Sequence, residues 1–251
     1  SDQKMIIGDI LDLELLIDVI KGAEVVYNFA ALADLNKAKT DPIASVKTNI
    51  LGNLNILEAS RICNVKRFIL ASSLYVYSQE GSFYRCSKQA AEDYVKEYQK
   101  EFGLNFTILR YGSLYGPRAD NTNGLLRIIR TGLKDGYFSY EGNIESSREY
   151  IHVLDAANAS IIALDEAHKN ESLTLSGVHS IKVIDLLKML SEIMGYSDKT
   201  ISFKDGDYIG HYVRTPYSYR SNYGKKLNLS SYRELGQGLL EVISDEESLK
   251  K

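Results

Sequence analysis

Tyr84 and Lys88 lie four residues apart in the stretch SFYRCSKQAAEDYV, residues 82–95, which is predicted to begin a helix. Residues i and i+4 of a helix lie one turn apart on the same face. An ammonium group there stabilises a neighbouring phenolate and lowers the pKa of the tyrosine from its reference value of about 10. The pair is therefore a candidate for proton transfer, although partly exposed helix pairs without chemistry have the same spacing.

A hydroxyl group precedes this pair at the end of a predicted strand. Ser73 lies in the run ILASSLYVY, eleven residues before Tyr84, where the sheet edge is expected to meet the helix. Such a hydroxyl can hydrogen-bond the same substrate oxygen that the tyrosine deprotonates. The alternative is a turn or capping hydroxyl, which is common at strand ends.

Strand-like and helix-like segments alternate along the first half of the chain. We predict strands at 4–10, 23–31, 65–78 and 105–116, and helices at 12–22, at 42–64 and from residue 82 onwards. Elements that alternate at these lengths indicate an α/β fold with a parallel sheet covered on both faces. Because ligands bind at the carboxyl ends of such strands, one sheet edge is expected to carry four loops. These are GDI (8–10), NFAA (28–31), ASS (71–73) and RYGSLYGP (110–117).

The second half of the chain is less regular and is expected to form a smaller lobe over the crevice. We predict helices at 124–136, 154–167, 182–195 and 232–244, and strands at 137–142, 147–153, 172–177 and 200–204.

Composition excludes several classes of protein. The 251 residues carry a net charge of −3, which provides no broad attraction to nucleic acid or to an anionic membrane. Cys63 and Cys86 form neither a disulfide framework nor a metal-ligand motif, so we expect no metal. No apolar run approaches the ~20 residues that cross a bilayer, and the first ten residues lack a signal-peptide pattern. We therefore expect a cytoplasmic protein without a nucleic-acid or membrane partner.

Seven stretches, in order, resemble the extended short-chain dehydrogenase/reductase family, in particular its nucleotide-sugar epimerases and dehydratases. The resemblance implies a Rossmann-like doubly wound parallel sheet over 1–117 and a smaller α/β substrate-binding lobe over 118–251, with segments around 148–165 returning to the first domain. It also implies NAD as cofactor, a nucleotide-diphosphate sugar as substrate and a homodimer. The stretches are GDI (8–10), NFAA (28–31), NILGNLNILEA (49–59), RFILASSLYVY (67–77), Tyr84xxxLys88, LRYGSLYGPR (109–118) and REYIHVLDAANA (148–159).

The resemblance implies a role for individual residues. Tyr84 would take the proton of a sugar hydroxyl, Lys88 would lower the tyrosine pKa and hold the nicotinamide ribose, and Ser73 would orient the substrate oxygen. Further cofactor contacts are implied for Asp9 and Ile10 beside the adenine, for Phe29, Ala30 and Ala31 along the dinucleotide, for Asn49 below it, and for Tyr111 facing the nicotinamide.

Substrate contacts are implied for Ser73, Ser113, Leu125 and Arg148. Arg148 would grip the diphosphate, because a guanidinium meets phosphate oxygens in a bidentate fork. The alternative for Arg148 is an ordinary surface arginine. His152 and His211 are interpreted as structural.

The chain departs from the family pattern in three places. No glycine-rich GxxGxxG turn precedes Gly8 in the sequence. Compared with the family pattern, we expect that a βαβ portion of roughly 30 or more residues is missing before Gly8. We expect a fragment of a longer enzyme, and the alternative is a chain that does not bind the cofactor normally. The link from Ser73 to Tyr84 is short, and Ser113 stands where many relatives have asparagine.

The reaction is inferred from the residues after Ser73. The family's dehydratases have an Asp–Glu pair there, whereas this chain has Leu74 and Tyr75, which cannot act as an acid–base pair at neutral pH. Tyr75 and Arg118 likewise replace the cysteine and histidine of the epimerising reductases. We therefore expect 4-epimerisation of a nucleotide-diphosphate sugar through a 4-keto sugar. The resemblance implies a UDP-hexose as the substrate, because UDP-hexoses are the commonest substrates of similar proteins. The alternatives are a nucleotide-4-keto-sugar reductase that uses NAD(P)H and a non-catalytic sugar-nucleotide binding protein.

Overall fold

The structure is a computed structural model that describes residues 3–143, 145–197, 201–204, 211–216 and 224–249. The chain divides into two compact units. The first unit comprises Ser1–Arg110, Ala163–Leu173 and Ser218–Lys225, and the second comprises Tyr111–Ile162, Thr174–Tyr217 and Lys226–Lys251.

Helices and strands alternate in the first part of the chain. A π-helix, Lys47–Gly52, joins two α-helices, and a 3-10 helix, Leu74–Tyr77, follows the second strand. The elements are α1 (Leu13–Ile20), β1 (Val25–Asn28), α2 (Leu35–Thr40), α3 (Pro42–Val46), α4 (Asn53–Ile62), β2 (Arg67–Ser73), α5 (Ser82–Phe102) and β3 (Phe106–Tyr111).

The second part of the chain has shorter strands. A 3-10 helix, Glu166–His168, precedes β7. The elements are β4 (Ser113–Tyr115), α6 (Gly124–Asp135), β5 (Phe138–Glu141), β6 (Ser147–His152), α7 (Val153–Ile162), β7 (Glu171–Leu175), β8 (Ser180–Lys182), α8 (Val183–Ile193), β9 (Ile201–Lys204), β10 (Lys225–Lys226) and α9 (Leu235–Ser248). Within the described residues, no helix combines the length and the apolar character needed to cross a membrane.

The central sheet has five strands in the order β1-β2-β3-β7-β10. β1 and β2 are parallel, with Val25 opposite Arg67 and Asn28 opposite Leu70. In β2 every residue is buried except Ala71, which is half-buried, as is typical of a strand covered on both faces. Because parallel strands end at the same edge, the loops that follow Asn28 and Ser73 leave the sheet side by side.

The described residues also form two smaller sheets. In the first, which has the order β4-β6-β8, β4 pairs parallel to β6, and β6 pairs antiparallel to β8. In the second, β5 pairs parallel to β9.

Each unit has its own hydrophobic core. The core of the first unit lies between the helices and the sheet and consists of Ile20, Ile56, Leu57, Ala59, Val65, Phe68, Leu70, Ala91, Val95, Leu104, Phe106 and Ile108. The core of the second unit consists of Tyr115, Leu125, Leu126, Ile129, Phe138, Val183, Leu186, Leu187, Leu190, Leu239, Val242 and Ile243.

Local sequence signals explain where the helices begin and end. Asp12 caps α1 by accepting a hydrogen bond from the Leu15 amide, and Asn123 caps α6 in the same way through Leu126. The long helix α5 ends at Gly103, whose φ of 72° suits a glycine because other residues pay a steric cost there.

The predicted strand at 4–10 is wrong. Residues 3–9 have no regular secondary structure, and Met5 and Ile7 are 88% and 91% exposed. An apolar run becomes a strand only where a neighbouring strand pairs with its backbone, and β1 pairs only with β2 in the described sheet.

Other elements differ from the prediction in detail. The strand predicted at 105–116 is divided at Gly112 into β3 and β4, which belong to different sheets. The helix predicted at 42–64 is interrupted by the π-helix. The sequence reasoning did not predict α2, β8 or β10, which are short elements with little periodic signal.

Candidate active site

Tyr84 and Lys88 lie in the first two turns of α5 and are both buried. The Lys88 Nζ atom is 5.9 Å from the centroid of the Tyr84 ring. The same Nζ atom donates a hydrogen bond of 2.7 Å to the carbonyl of Ala71 in β2. Lys88 is only 4% exposed, which does not fit the alternative of a partly exposed helix pair.

Burial changes the acidity of Lys88. Loss of water around the ammonium lowers the pKa of Lys88 from 10.5 to about 8, and the carboxylate of Glu92 opposes this shift. Lys88 is therefore mainly a cation at neutral pH, and it loses its proton when the pH rises above about 8. A cation this close to a phenol ring favours the ionised form of that phenol.

Ser73 ends β2 and is also buried. Its hydroxyl accepts a hydrogen bond of 3.3 Å from the Tyr75 amide and so caps the 3-10 helix. This confirms the capping interpretation, but a hydroxyl that accepts one hydrogen bond can still donate its own hydrogen. The substrate-orienting role therefore stays a prediction.

The short connection between Ser73 and Tyr84 is compact. The rings of Tyr75 and Tyr84 meet edge to face, with centroids 6.1 Å apart and an interplanar angle of 80°. Gly81 has a φ of 97°, and a Cβ atom there would lie 2.6 Å from the Tyr75 ring. Only glycine suits this turn, which lets α5 start directly beside the end of β2.

The loop after β1 exposes the residues that the resemblance assigns to the dinucleotide. Phe29 is 58% exposed, and its ring stacks on Tyr27 at a centroid distance of 5.9 Å. Ala30 is exposed and Ala31 half-buried, and the Ala30 amide donates to the side chain of Asn28. Residues 29–31 therefore present accessible surface at the carboxyl end of a parallel strand.

Asn49 connects this loop to the helix that carries Tyr84. Asn49 belongs to the π-helix. Its Oδ1 atom accepts a hydrogen bond of 2.7 Å from the Leu32 amide, and its Nδ2 atom donates one of 3.1 Å to the Leu32 carbonyl. Nδ2 also donates to Ser87 Oγ at 2.9 Å, and Ser87 donates to the carbonyl of Tyr84. π-Helical turns are frequent at functional sites, where they redirect a side chain. Here the side chain anchors the loop.

Asp9 and Ile10 precede α1. The Asp9 carboxylate accepts a hydrogen bond of 2.9 Å from the Leu11 amide, and the Ile10 carbonyl accepts one of 3.1 Å from Asn55. The side chain of Ile10 packs on Gly52, where an added Cβ would be 2.4 Å away. These contacts position both residues, and their adenine contact stays a prediction.

In the second unit, Arg148 lies near the start of β6 and is held from several sides. Its Nη1 atom donates to the carbonyls of Ser147 and Val213, at 2.9 Å and 3.2 Å. Its guanidinium carbon lies 4.6 Å from the centroid of the Tyr212 ring, which is a cation–π contact. An arginine fixed in this way does not fit the alternative of an ordinary surface arginine.

His211 is close enough to Arg148 and to Arg127 for both charges to affect it. The pKa of His211 is lowered to about 4, first by burial and then by the charges of Arg148 and Arg127. Burial is the main reason why His211 is neutral, and the two guanidinium groups act in the same direction, so they contribute positive potential at the imidazole. Sequence reasoning assigned His211 to a structural role and did not find Tyr212 or Arg127, since no motif joins them to Arg148.

The other predicted residues of the second unit have ordinary contacts. The Tyr111 hydroxyl hydrogen-bonds Ser160 Oγ at 2.6 Å, and Ser113 pairs with Tyr150 in the β4–β6 register. Leu125 is 5% exposed and belongs to the hydrophobic core. The cofactor role of Tyr111 and the substrate roles of Ser113 and Leu125 stay predictions.

His152 fits its structural interpretation. Its ring is 1% exposed and meets the Tyr115 ring edge to face at 5.1 Å. Its Nδ1 atom accepts from the Leu154 amide at 3.3 Å, and burial lowers the pKa of the imidazole.

The helices assigned to a dimer contact carry exposed apolar residues. The resemblance implies a dimer contact through the segments 45–60 and 83–101, and core packing is an equal explanation for their apolar residues, which are Ile50, Leu54, Tyr94 and Tyr98. Tyr94 is 44% exposed, whereas Ile50 and Leu54 are half-buried, and Tyr98 packs against the first core. Exposed neighbours include Ile43, Val46 and Leu51. The homodimer stays a prediction.

The chain belongs to the NAD-dependent epimerase/dehydratase family, whose sequence profile matches residues 1–175. This confirms the family resemblance, and the predicted cofactor, NAD, is that of the family. A protein of Methanocaldococcus jannaschii, provisionally named UDP-glucose 4-epimerase, is 28% identical over 198 residues. The match covers 72% of this chain and 64% of that relative, so the chain spans slightly less than two thirds of the relative's length.

Two solved structures share the fold. The UDP-glucose 4-epimerase of Thermotoga maritima, solved with UDP-glucose, is 25% identical to this chain, with a TM-score of 0.80. The superposed part covers 97% of this chain and 84% of the Thermotoga maritima chain. The UDP-glucuronic acid 4-epimerase of Bacillus cereus, solved with UDP-glucuronic acid and NAD, is 24% identical with a TM-score of 0.83 and covers 96% and 81%. The predicted Rossmann-like α/β fold class is confirmed.

Proposed function

We propose that the protein catalyses the NAD-dependent 4-epimerisation of a nucleotide-diphosphate sugar, with a UDP-hexose as the first substrate to test. The observation that carries this proposal is the buried Tyr84–Lys88 pair beside the end of β2, where Ser73 lies. Both similar solved structures are named as UDP-sugar 4-epimerases, which supports the same class of substrate.

Three side chains of the first unit take part in the proton transfer. Tyr84 accepts the proton of the sugar 4-hydroxyl, and the Lys88 ammonium stabilises the phenolate that receives it. Ser73 donates a hydrogen bond to the same sugar oxygen while it accepts the Tyr75 amide. Tyr84 would return the proton to the oxygen when a hydride is delivered to the opposite face of C4, and the sugar then regains its hydroxyl with the opposite configuration.

The residues present fit a dinucleotide. Phe29 exposes an aromatic ring, and residues 29–31 lie at the carboxyl end of β1, where dinucleotides bind to open α/β sheets. The Lys88 ammonium has three donors, and its hydrogen bond to Ala71 uses one, which leaves capacity for ribose hydroxyls. NAD, when bound, supplies the hydride acceptor and donor for C4 of the sugar.

Asn49 and Tyr111 complete the proposed cofactor contacts. Asn49 holds the loop that Phe29 occupies, through both backbone groups of Leu32. Asp9 and Ile10 are proposed for the adenine end.

Arg148 is proposed to bind the substrate diphosphate. Its contacts with Tyr212 and with two carbonyl groups hold the guanidinium in one place, and Arg127 adds a second positive charge nearby. A preorganised guanidinium binds phosphate oxygens in a bidentate manner. His211 is neutral, mainly because it is buried, so it can act as a hydrogen-bond partner without repelling the arginines.

Epimerisation is favoured over dehydration because of Leu74 and Tyr75. Neither side chain has a carboxylate for the removal of water from the sugar. Leu74 is fully buried, and the ring of Tyr75 packs against Tyr84. A 4-keto-sugar reductase uses the same three catalytic residues, and the assay must therefore separate the two reactions.

The test is to incubate the purified protein with UDP-glucose, UDP-galactose or UDP-glucuronic acid and to follow the 4-epimers by NMR. Epimerisation requires no net consumption of NAD, whereas a reductase consumes NAD(P)H with each turnover. Tyr84→Phe should lower kcat by about 10²- to 10⁴-fold and leave the circular dichroism spectrum unchanged. Tyr94→Phe, an exposed tyrosine of the same helix, is the matched control. Near-normal turnover by Tyr84→Phe would refute the mechanism.

A further inference from the structure

Glu92 and Arg110 form a buried ion pair that the roles above do not use. Arg110 is 2% exposed and Glu92 is 3% exposed. The Arg110 Nε atom lies 2.8 Å from Glu92 Oε1, and Nη2 lies 2.5 Å from Oε2, so the contact is bidentate. Arg110 belongs to β3, and Glu92 lies one helical turn after Lys88 in α5.

Stability alone accounts poorly for such a pair. Two charges that leave water lose their hydration, and apolar residues of similar size often replace a buried ion pair without loss of stability. The contacts that the pair makes with other residues therefore indicate what it does.

The first set of contacts surrounds Ser73. Glu92 Oε1 also accepts a hydrogen bond of 2.6 Å from the hydroxyl of Ser72, which is adjacent to Ser73 in β2. Arg110 Nη1 donates to the hydroxyl of Tyr77 at 2.6 Å, and its guanidinium carbon lies 4.8 Å from the Tyr77 ring centroid. Tyr77 ends the 3-10 helix that Ser73 caps. The pair therefore holds the backbone on both sides of Ser73.

The backbone of Gly224 closes the far side of this contact. A Cβ atom at Gly224 would lie 2.5 Å from the Tyr77 hydroxyl and 2.6 Å from Arg110 Nη1. Its φ of 146° is also one that glycine adopts readily. The backbone of Gly224 thus packs directly against the Arg110–Tyr77 hydrogen bond. A side chain at residue 224 would push Tyr77 and Arg110 out of their positions.

The second observation concerns the charge of Lys88, which lies one helical turn before Glu92 in α5. Glu92 raises the pKa of Lys88, against the effect of burial. Among the described residues, Lys96 Nζ lies 3.9 Å from Glu92 Oε2, Arg110 from β3 forms the ion pair, and Lys88 precedes Glu92 by one turn of α5. Tyr77 from the 3-10 helix contacts Arg110. From β2 the neighbour is the hydroxyl of Ser72.

We propose that the Glu92–Arg110 pair is a positioning element of the catalytic site: it fixes Ser73 through Ser72 and Tyr77, and Glu92 places its carboxylate one helical turn from Lys88. The consequence for turnover rests on the proposed function, but the effect on Lys88 does not. Glu92 and Arg110 touch neither substrate nor cofactor in this assignment and act through Ser73 and Lys88.

The first experiment measures Lys88 directly. The protein is labelled with ¹³Cε-lysine, Lys88 is assigned with the variant Lys88→Arg, and its chemical shift is followed by NMR from pH 6 to pH 11. Glu92→Gln keeps the size of the side chain and removes its charge, so Lys88 should lose its proton at lower pH. Starting from a pKa of about 8, the protonated fraction at pH 8 should fall roughly two- to fivefold.

Glu97→Gln is the matched control, because Glu97 lies on the same helix with its side chain 60% exposed. It should leave the titration of Lys88 unchanged. A titration that is the same in Glu92→Gln and in the unmodified protein would overturn the electrostatic part of the proposal.

The second experiment uses Ser72→Ala, which keeps both charges and is a milder change if Glu92→Gln does not fold. Loss of the Ser72–Glu92 hydrogen bond should lower kcat about two- to tenfold with little change in KM, while the Lys88 titration stays the same. Ser78→Ala, in the following segment, is its control. A rise in KM at constant kcat would overturn the positioning of Ser73. If the unmodified protein turns over no UDP-sugar, the proposed function fails, whereas the NMR titration still decides the role of Glu92.

Discussion

Replacement of Lys88 by methionine should remove activity and stabilise the fold at neutral pH. Lys88 is 4% exposed, and burial lowers its pKa from 10.5 to about 8. Each unit of difference in pKa between the folded and unfolded states corresponds to about 1.4 kcal/mol. The charged Lys88 side chain therefore costs about 3 kcal/mol of folding free energy at pH 7. Lys88→Met removes that charge in a side chain of similar length.

One lost contact reduces the gain. The Lys88 ammonium donates to the Ala71 carbonyl at 2.7 Å, and loss of that hydrogen bond costs about 1 kcal/mol. We therefore expect Lys88→Met to raise the free energy of unfolding at pH 7 by about 2 kcal/mol. For a chain of this size, that corresponds to a Tm higher by about 4–8 °C.

The pH dependence has a definite sign. Between pH 8 and 10.5 the unfolded state binds more protons at this lysine than the folded state does, so the stability of the unmodified protein rises with pH. Below pH 8 the full cost of the buried charge is present, and above pH 10.5 it has gone. The advantage of Lys88→Met should therefore shrink from about 2 kcal/mol at pH 7 to about zero at pH 9.5.

Urea unfolding followed by circular dichroism at both pH values measures this difference, since the chain contains no tryptophan. Lys100→Met is the matched control on the same helix, because the Lys100 side chain is 67% exposed, and its stability should match that of the unmodified protein at both pH values. A Lys88→Met variant that is less stable at pH 7, or equally stabilised at pH 7 and pH 9.5, would refute the account of Lys88 as a buried cation.

Two further substitutions test the proposed roles by steady-state kinetics. Ser73→Ala should lower kcat by about ten- to a hundredfold with KM nearly unchanged, since the hydroxyl is proposed to bind the reacting oxygen, and a changed KM with normal kcat would contradict that role. Arg148→Ala should raise KM for the nucleotide sugar by about ten- to a hundredfold, as expected for the loss of charged hydrogen bonds, and Arg148→Lys should lose less because it keeps the charge. An unchanged KM in Arg148→Ala would remove Arg148 from the diphosphate site.

Local features of the fold and site could be predicted from the sequence. The spacing of Tyr84 and Lys88 places both on one face of any helix that contains them, because helical geometry depends only on neighbouring residues. The alternation of apolar strands and amphipathic helices predicted the parallel sheet for the same reason. The order of short family motifs predicted the family, because those motifs are read residue by residue.

Tertiary structure alone decided the features that depend on distant residues. Residues 4–10 contain an apolar run, Met5–Ile7, but form no strand, because strand formation depends on a pairing neighbour. The burial that lowers the pKa of Lys88 comes from the packing of α5 against β2. The anchoring of Arg148 by Tyr212 joins residues far apart in the chain, and so does the Glu92–Arg110 pair. Side-chain type and local periodicity contain no information on such contacts, since they form only when the chain has folded.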